Sequence, residues 1–153
     1  MTDSCSYLMK LEGPEDELQR FDKQGRADHA GKDVLMLFKL IPVTKTVHFQ
    51  GWGDYNMGEY LDFNIHVVYD ESLQSYYFSE KHDIGEDIFI EISEAFPRIK
   101  FVCEYKNFRY EDNAIADYKR FICQNRSIEV TDQYKIRCKL CPLCGSIESF
   151  EKM

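Results

Sequence analysis

The order of helical and strand patterns along the chain is the feature that most limits its fold. Ile88, Ile92 and Phe96 recur at four-residue spacing, so the pattern predicts a helix over 87–96, and a proline follows it. A first helix is predicted near 14–23, because a proline and three successive acidic residues suit a first helical turn. Two helices of this kind need an apolar surface to cover, and the rest of the chain supplies it.

Most of the remaining apolar segments alternate with polar residues and predict strands. The strands are predicted at 6–12, 61–69, 75–79, 99–105, 118–123 and 128–130, with a further apolar run at 34–41. A polar connector is predicted at 25–32 and a loop at 44–60. The resulting order, β-α-β-loop-β-β-α-β-β-β, predicts an α+β fold of ferredoxin-like, split βαβ character. We expect an antiparallel-rich sheet with both helices on one face, followed by a C-terminal hairpin and a cysteine-containing tail.

Length and composition indicate one folded core. The chain has 153 residues, of which 44% are hydrophobic and 30% are charged, so a disordered chain is not expected. We predict a ferredoxin-like α+β domain over 1–131 and a Cys-rich tail over 132–153 that packs on this domain or extends it. The start of the chain carries an acid where a secretory leader carries bases, and no apolar run is long enough for a membrane span. A cytoplasmic protein without a membrane partner is therefore expected.

Charge is unevenly distributed. The net charge is −8, and residues 1–100 hold 10 basic residues against 19 acidic ones. An acidic body argues against non-specific nucleic-acid binding, which depends on clustered Lys and Arg. Basic residues do gather in the segment 119–139, where the simpler interpretation is a solvated rim on a hairpin.

The strongest chemical pattern is the cysteine cluster of the tail. Cys141-Pro-Leu-Cys144-Gly has the form of a zinc knuckle, and Cys138 adds a third thiol to the same stretch. The fourth ligand would be Cys123 or Cys103. Reduced cysteines in a cytosol are available to zinc, the tentative cofactor, but reduced and partly buried thiols without metal explain the pattern equally well. A redox pair or an iron–sulfur cluster is less favoured by the flanking residues.

Aromatic residues on a glycine-rich loop form a second candidate site. Trp52, Tyr55 and Tyr60 have the composition of anchors in protein interfaces, although the same residues could fold back as a lid on the core. No phosphate-binding loop, dinucleotide fingerprint or nucleophile elbow is present, and the His82-Asp83 pair lacks an accompanying nucleophile. We therefore do not expect an enzyme.

Several segments in order resemble a known family. The opening Cys5-Ser6-Tyr7-Leu8-Met9-Lys10-Leu11-Glu12-Gly13-Pro14 and the acidic segment that ends in Phe21 resemble the first strand and helix of the YubB-like ferredoxin-like domains of plasmids and phages. The run 37–42 is similar to that family's strand ending in proline, Trp52-Gly53 to its Trp-Gly loop, and 92–105 to its second helix and last core strand. The resemblance spans residues 5–130 and implies a ferredoxin-like fold and association with a mobile element.

The same comparison shows departures in the loops. Tyr7 stands where the family has Asn, Tyr55-Asn56 replaces its Lys-Trp pair, and Lys-His-Asp-Ile at 81–84 replaces its Trp-Ser-Pro-Pro segment. If those loops form the family's binding surface, the surface is altered in this chain.

Three functions are compatible with these patterns. The first is a non-catalytic binding or adaptor protein, associated with a mobile element, that uses its sheet face or the Trp52 loop on a protein partner. The second is an acidic mimic of nucleic acid that occupies a host defence or DNA-binding protein. The third is a binder of single-stranded nucleic acid that stacks bases on strand aromatics such as Tyr76 and Phe78. The oligomeric state is not indicated.

Overall fold

The computed structural model describes residues 4–29, 31–49, 53–57, 65–80, 86–109, 115–140, 142–144 and 147–152. The helices are α1 (Glu15–Gly25), a 3-10 helix (Leu37–Leu40) and α2 (Asp87–Ala95). The strands are β1 (Ser4–Glu12), β2 (Arg26–His29), β3 (Lys32–Met36), β4 (Thr46–Phe49), β5 (Gly53–Asn56), β6 (His66–Asp70), β7 (Ser75–Glu80), β8 (Lys100–Arg109), β9 (Ile115–Gln124), β10 (Ser127–Leu140) and β11 (Ile147–Lys152).

Nine of the described strands form one sheet, in the order β11-β10-β9-β8-β1-β7-β6-β3-β2. Every described pairing in it is antiparallel. Strands β4 and β5 form a separate two-stranded ribbon, from which Val47 enters the same core as the sheet. The predicted α+β class, with a large antiparallel sheet and two helices, is confirmed.

Both helices pack on the same side of this sheet. The ring of Phe21 in α1 lies 5.3 Å from that of Phe96 at the end of α2 and 5.9 Å from that of Phe101 on β8. The ring of Phe89 in α2 lies 5.4 Å from that of Phe121 on β9. These five side chains are almost completely buried. We call this side the helix-covered face.

Alternation along β1 explains why the helices choose this side. Tyr7 and Met9 are buried, whereas Leu8 is half-buried and Lys10 is exposed. Tyr7 pairs with Phe78 on β7, and the two rings stack with centroids 4.7 Å apart. Because successive side chains of a strand point to opposite faces, the buried apolar residues of β1 and β7 lie under the helices. The other face of β9 and β10 carries a smaller buried cluster, formed by Ala116, Tyr118 and Ile136.

The sequence prediction missed the short strands. Residues 25–32 were expected as a connector and 44–60 as a loop, but part of the first belongs to the β2–β3 hairpin and part of the second to the β4–β5 ribbon. The apolar run at 34–41 divides between β3 and the 3-10 helix. Short, partly polar strands carry little periodicity of their own, and pairing with a neighbour defines them.

The predicted tail continues the sheet. Strand β10 runs without a break from Ser127 to Leu140 and pairs with β9 on one side and β11 on the other. Residues 132–140 therefore extend the same sheet as residues before the expected boundary at 131. A register shift between Val130 and Asp132 lies at that position. Across the described segments, we find no helix with the length and apolar character required to cross a membrane.

Candidate partner-binding face

The opposite side of the sheet is not covered by any described helix or strand, and we call it the open face. Side chains alternate between the two faces along each strand, so the strand registers show which residues of β7, β1, β8, β9 and β10 lie on the open face. We call residues that lie opposite one another on successive strands a row. One row on the open face, which reaches β6, consists of Val68, Tyr77, Leu8, Glu104, Arg120 and Asp132. The neighbouring row on one side consists of Lys10, Val102, Ile122 and Glu129, and the row on the other side of Ser79, Ser6, Lys106, Tyr118 and Tyr134.

One end of the open face is apolar and exposed. Val68 is 63% exposed and Tyr77, directly opposite it on β7, is 44% exposed. Leu8 follows in the same row and is half-buried. We call these three residues the apolar patch. A large aromatic side chain with this much exposure, next to an exposed valine on a strand, is typical of a contact surface.

The rest of the open face, on β1, β8, β9 and β10, is charged, and we call it the charged end. A β-bulge determines which charges it carries. The register shift between Val130 and Asp132 leaves Glu129 opposite Ile122 and Asp132 opposite Arg120. Without the extra residue, strand alternation would send Asp132 to the helix-covered face. The hydroxyl of Thr131 donates to the backbone carbonyl of Arg120 at 3.2 Å, which supports the irregular backbone at this point.

Charges of the two signs are equal in number on the five central strands of the open face. The four basic residues are Lys10, Lys100, Lys106 and Arg120, and the four acidic residues are Glu12, Glu104, Glu129 and Asp132. Lys100 lies 3.8 Å from Glu12. Among the residues that the structure describes, Lys10, Lys106, Arg120, Glu129 and Asp132 have no ion-pair partner. The charged end therefore presents groups of both signs that the chain itself does not neutralise.

A tyrosine pair stiffens the charged end. The rings of Tyr118 and Tyr134 stack with centroids 4.5 Å apart, and the Tyr118 hydroxyl donates to Glu104 Oε1 at 3.0 Å. Burial, assisted by this bond to a carboxylate, raises the pKa of Tyr118 to about 12. The hydroxyl thus stays protonated and continues to donate at physiological pH.

The surface between these ends is shallow. A hollow of about 140 Å³ lies over the central strands, lined by Leu8, Lys10, Ser75, Val102, Glu104 and Arg120. Pockets that bury a small ligand usually exceed about 300 Å³. The hollow over the central strands is therefore too small to enclose such a ligand. A wider depression of about 280 Å³ lies beside it, lined by Lys100, Ile122, Gln124, Ser127, Ile128 and Glu129.

Charges on the helix-covered side are arranged differently. Arg98 lies 2.8 Å from buried Glu17 and 2.9 Å from Asp16, and Arg126 lies 2.6 Å from Glu94. The hydrogen bond from Arg98 lowers the pKa of Asp16, and that from Arg126 lowers the pKa of Glu94. These carboxylates of α1 and α2 are thus neutralised within the chain.

The predicted aromatic loop is described only in part. Tyr55 lies on β5 opposite Val47 and is half-buried against the core, which agrees with the alternative interpretation of a lid. Trp52 and Tyr60 lie outside the described residues. Phe78, expected as a base-stacking residue, is only 2% exposed, and half-buried Tyr76 faces α1, where its hydroxyl donates to Asp22 at 3.3 Å.

The structure does not bring Cys123 close to Cys138. Cys123 pairs with Ile128, ten residues before Cys138 on β10, a separation of about 30 Å along an extended strand. It is buried under α2, and its thiol donates to the carbonyl of Phe89 at 3.5 Å. Burial raises the pKa values of both Cys123 and Cys103.

The tail cysteines themselves are incompletely described. Cys138 lies on β10 opposite Phe150, and Cys144 is exposed in the connection between β10 and β11. Cys141 falls outside the described residues. Within the described part of the chain, no group of three or more His, Cys, Asp or Glu side chains is arranged to hold a metal ion. Zinc binding by Cys138, Cys141 and Cys144 stays a prediction.

Comparison with known proteins adds no further site. No protein-family model, curated protein or solved structure matches this chain. The resemblance to the YubB-like family therefore stays a prediction as well. Sequence reasoning also missed the open face, although the alternation of Tyr118, Arg120 and Ile122 with Phe121 and Cys123 was a signal that β9 has two dissimilar faces.

Proposed function

We propose that this chain is a non-catalytic binding protein that acts through protein–protein contacts and docks its partner on the open face. The observation that carries this proposal is the apolar patch, where Tyr77 and Val68 are exposed side by side on an uncovered sheet. Tyrosine is enriched among the residues that dominate binding energy in interfaces. The partner that fits is a protein surface with an apolar residue at its centre and charges of both signs at its rim.

Charge on the open face favours a protein over a nucleic acid. Four basic residues beside four acidic ones give no excess of cations to neutralise phosphates. The strand aromatic Phe78 is buried under the helices and presents no surface on which a base could stack. Binding of single-stranded nucleic acid is therefore the weakest of the three functions.

Mimicry of nucleic acid is less well supported for a related reason. A mimic needs rows of carboxylates that are available to the positive surface of a DNA-binding protein. The described carboxylates on α1 and α2 instead lie beside basic groups of the same chain, as Asp16 does beside Arg98 and Glu94 beside Arg126. Those partners would have to be displaced before the carboxylates could imitate phosphates.

We extend the proposal to the finer fold and to the family. The segment order β8-β1-β7-β6 in the sheet, with α1 between β1 and β6 and α2 between β7 and β8 in the chain, supports a split βαβ arrangement. The ordered segments of residues 5–130 support association with a plasmid or phage. In this scheme β9, β10 and β11 are additions that widen the sheet, and they supply the charged end of the open face.

We also propose zinc for the tail. The support is the Cys-Pro-Leu-Cys-Gly sequence, which lies in the connection between the antiparallel strands β10 and β11. Elemental analysis of protein purified without added metal should give close to one equivalent of zinc, since a closed tetrahedral site holds its ion stoichiometrically. Cys144→Ser should release the metal, and Cys123→Ser should retain it. Less than about 0.2 equivalents in the wild-type protein would contradict the proposal.

A photo-reactive residue tests the docking surface directly. Placed at position 77 and irradiated in the source cell, it should cross-link to one discrete protein, whereas the same residue at exposed Gln19 on α1 should not. Because the double variant Val68→Glu with Tyr77→Glu occupies position 77, the photo-reactive residue is then placed at position 79 instead of Ser79. The two substitutions should abolish the cross-linked product from that position. The matched control, Gln19→Glu with Gln24→Glu, adds two acids to α1 and should leave it intact. Cross-linking to nucleic acid, or equal products from positions 77 and 19, would refute the proposal.

A further inference from the structure

The charged end of the open face is complementary to itself. Consider two copies of the chain related by a two-fold axis that runs parallel to the strands and passes between β8 and β9. This axis places β8 of one copy over β9 of the other and β1 over β10. Residues of one row then face residues of the same row in the second copy. Two copies related by such an axis meet face to face, as sheets do when they stack about 10 Å apart. The residues that then oppose each other follow from the registers alone.

The opposed residues match in character. Val102 meets Ile122 of the second copy, and Glu104 meets its Arg120. Lys10 meets Glu129 of the second copy, because both lie in the row of Val102 and Ile122. Symmetry repeats each of these contacts, which gives two apolar contacts and four ion pairs.

The remaining positions contain no repulsion. Lys106 meets Tyr118, Lys100 meets Gln124 and Glu12 meets Ser127, so no described pair on these strands places like charges opposite each other. Leu8 meets Asp132, and this is the one mismatch, at the margin of the overlap. A two-fold axis that runs perpendicular to the strands, along the row of Glu104, gives poorer complementarity because it would place apolar Val102 against charged Lys106.

We propose that the chain forms a homodimer through the charged end of the open face. The four strands involved, β1, β8, β9 and β10, cover about 600 Å² of flat area over about ten residues each, near the roughly 800 Å² of accessible surface that each partner buries in a standard interface. Arg120, Lys10 and Glu129 have no ion-pair partner among the described residues of one chain, and the second copy supplies one for each. Stacked sheets are rotated by about 30°, which displaces Lys10 from Glu129 by about 4 Å, within the reach of a lysine side chain.

This dimer leaves Val68 and Tyr77 of the apolar patch free, whereas Leu8 of the same patch meets Asp132 at the margin of the overlap. The two-fold axis places β7 of one copy over the position of β11 in the other. Strand β11 pairs with β10 only from Ile136 to Leu140, so it has no residue in the row of Tyr77. Val68 and Tyr77 therefore lie outside the overlap. The dimer and the docking of another protein are separate claims, and each can fail alone.

A charge-swap experiment tests the dimer. Lys10 and Glu129 lie three strand spacings apart in one chain, about 14 Å, so neither can neutralise the other without a second copy. Lys10→Glu alone sets glutamate against glutamate twice, and Glu129→Lys alone sets lysine against lysine twice. Each variant should dissociate at least about tenfold more readily than the wild type, because opposed like charges at an interface are costly. An equimolar mixture of the two variants restores every pair and should associate as the wild type does.

Sedimentation equilibrium of the full chain from about 1 to 100 µM, a range that captures micromolar dissociation constants, is the measurement. The expected result is a wild-type dimer, two weakened variants and a restored mixture. The matched control Gln19→Glu, on α1, should associate as the wild type does. A monomeric wild-type chain overturns the proposal, and so does a dimer whose dissociation constant is unchanged in both variants or is not recovered in the mixture.

Discussion

On the helix-covered side of the sheet, most acidic residues of α1 and α2 lie beside basic groups of the same chain, as Glu17 does beside Arg98 at 2.8 Å. On the open face, Lys100 pairs with Glu12, but Lys10, Arg120 and Glu129 have no such partner among the described residues. The same sheet thus carries one side on which most described carboxylates of the helices are paired internally and one side on which more of the described charges are left for another molecule.

The difference shows which side is complete. The helix-covered side, apart from exposed Tyr69 and Val130, buries its large apolar residues and pairs most carboxylates of its helices, so it has less to gain from a further partner. A side with an exposed tyrosine and unpaired charges of both signs remains able to gain contacts on association. Stability should therefore depend on the helix-covered side and association on the open face, and substitutions can separate the two.

The largest expected effect comes from a charge placed on the helix-covered side. Ile92 is 0% exposed, so Ile92→Asp buries a carboxylate without a partner. We expect the free energy of unfolding to fall by about 4 kcal/mol, measured by chemical denaturation. Val68→Asp, the same kind of change on the open face, should cost less than about 1 kcal/mol, the loss of strand propensity. Equal losses of unfolding free energy at Ile92 and Val68 would show that the two sides of the sheet contribute equally to stability, which contradicts the difference described.

A smaller effect should follow from added volume. A Cβ atom at Gly25 would lie 2.8 Å from Cγ of Leu35, at the point where α1 meets β3. We expect Gly25→Ala to cost about 1–2 kcal/mol, the overpacking penalty less the gain in helix propensity. Thermal or chemical denaturation measures it.

The matched change on the open face adds more volume with less consequence. Ser79 is exposed on β7, and Ser79→Val introduces two methyl groups where no described element covers the sheet. Because valine favours strands, the free energy of unfolding should change by less than about 0.5 kcal/mol. If Ser79→Val destabilised the protein as much as Gly25→Ala, the open face would be covered after all.

The sequence predicted the elements whose periodicity is strong in isolation. Helix α2 was expected from Ile88, Ile92 and Phe96, and all three are buried in the structure. Strands β2, β4 and β11 were missed, because four to six residues with mixed polarity acquire their conformation from a neighbouring strand. Local patterns therefore predicted the fold class, and pairing supplied the rest.

The open face was beyond sequence reasoning for a related reason. Lys10 and Glu129 are far apart in the chain and share a row only because β8 and β9 stand between their strands. The bulge beside Thr131 then decides that Asp132 shares the face with Arg120, and no residue pattern marks this bulge in the sequence. A site made from the register of several strands is a product of the fold.

The smallest expected effect is a dependence on acid to which ion pairs of the helix-covered side contribute. The hydrogen bond from Arg98 holds the pKa of Asp16 below its ordinary 3.8, and the bond from Arg126 holds that of Glu94 below its ordinary 4.5. A carboxylate with a lowered pKa in the folded state stabilises it above the pKa of the unfolded chain, and this contribution disappears as the pH falls through the lower value. The midpoint of chemical denaturation should therefore decrease as the pH falls from these ordinary values through the lowered ones. Arg98→Ala should make that decrease smaller, since the pKa of Asp16 then returns toward its unfolded value. Lys10→Gln, which removes an unpaired charge from the open face, should leave the pH dependence as it is in the wild type. If Lys10→Gln flattened the pH dependence as much as Arg98→Ala, carboxylates of the open face would also be paired within the chain, and the two sides of the sheet would not differ in the way described.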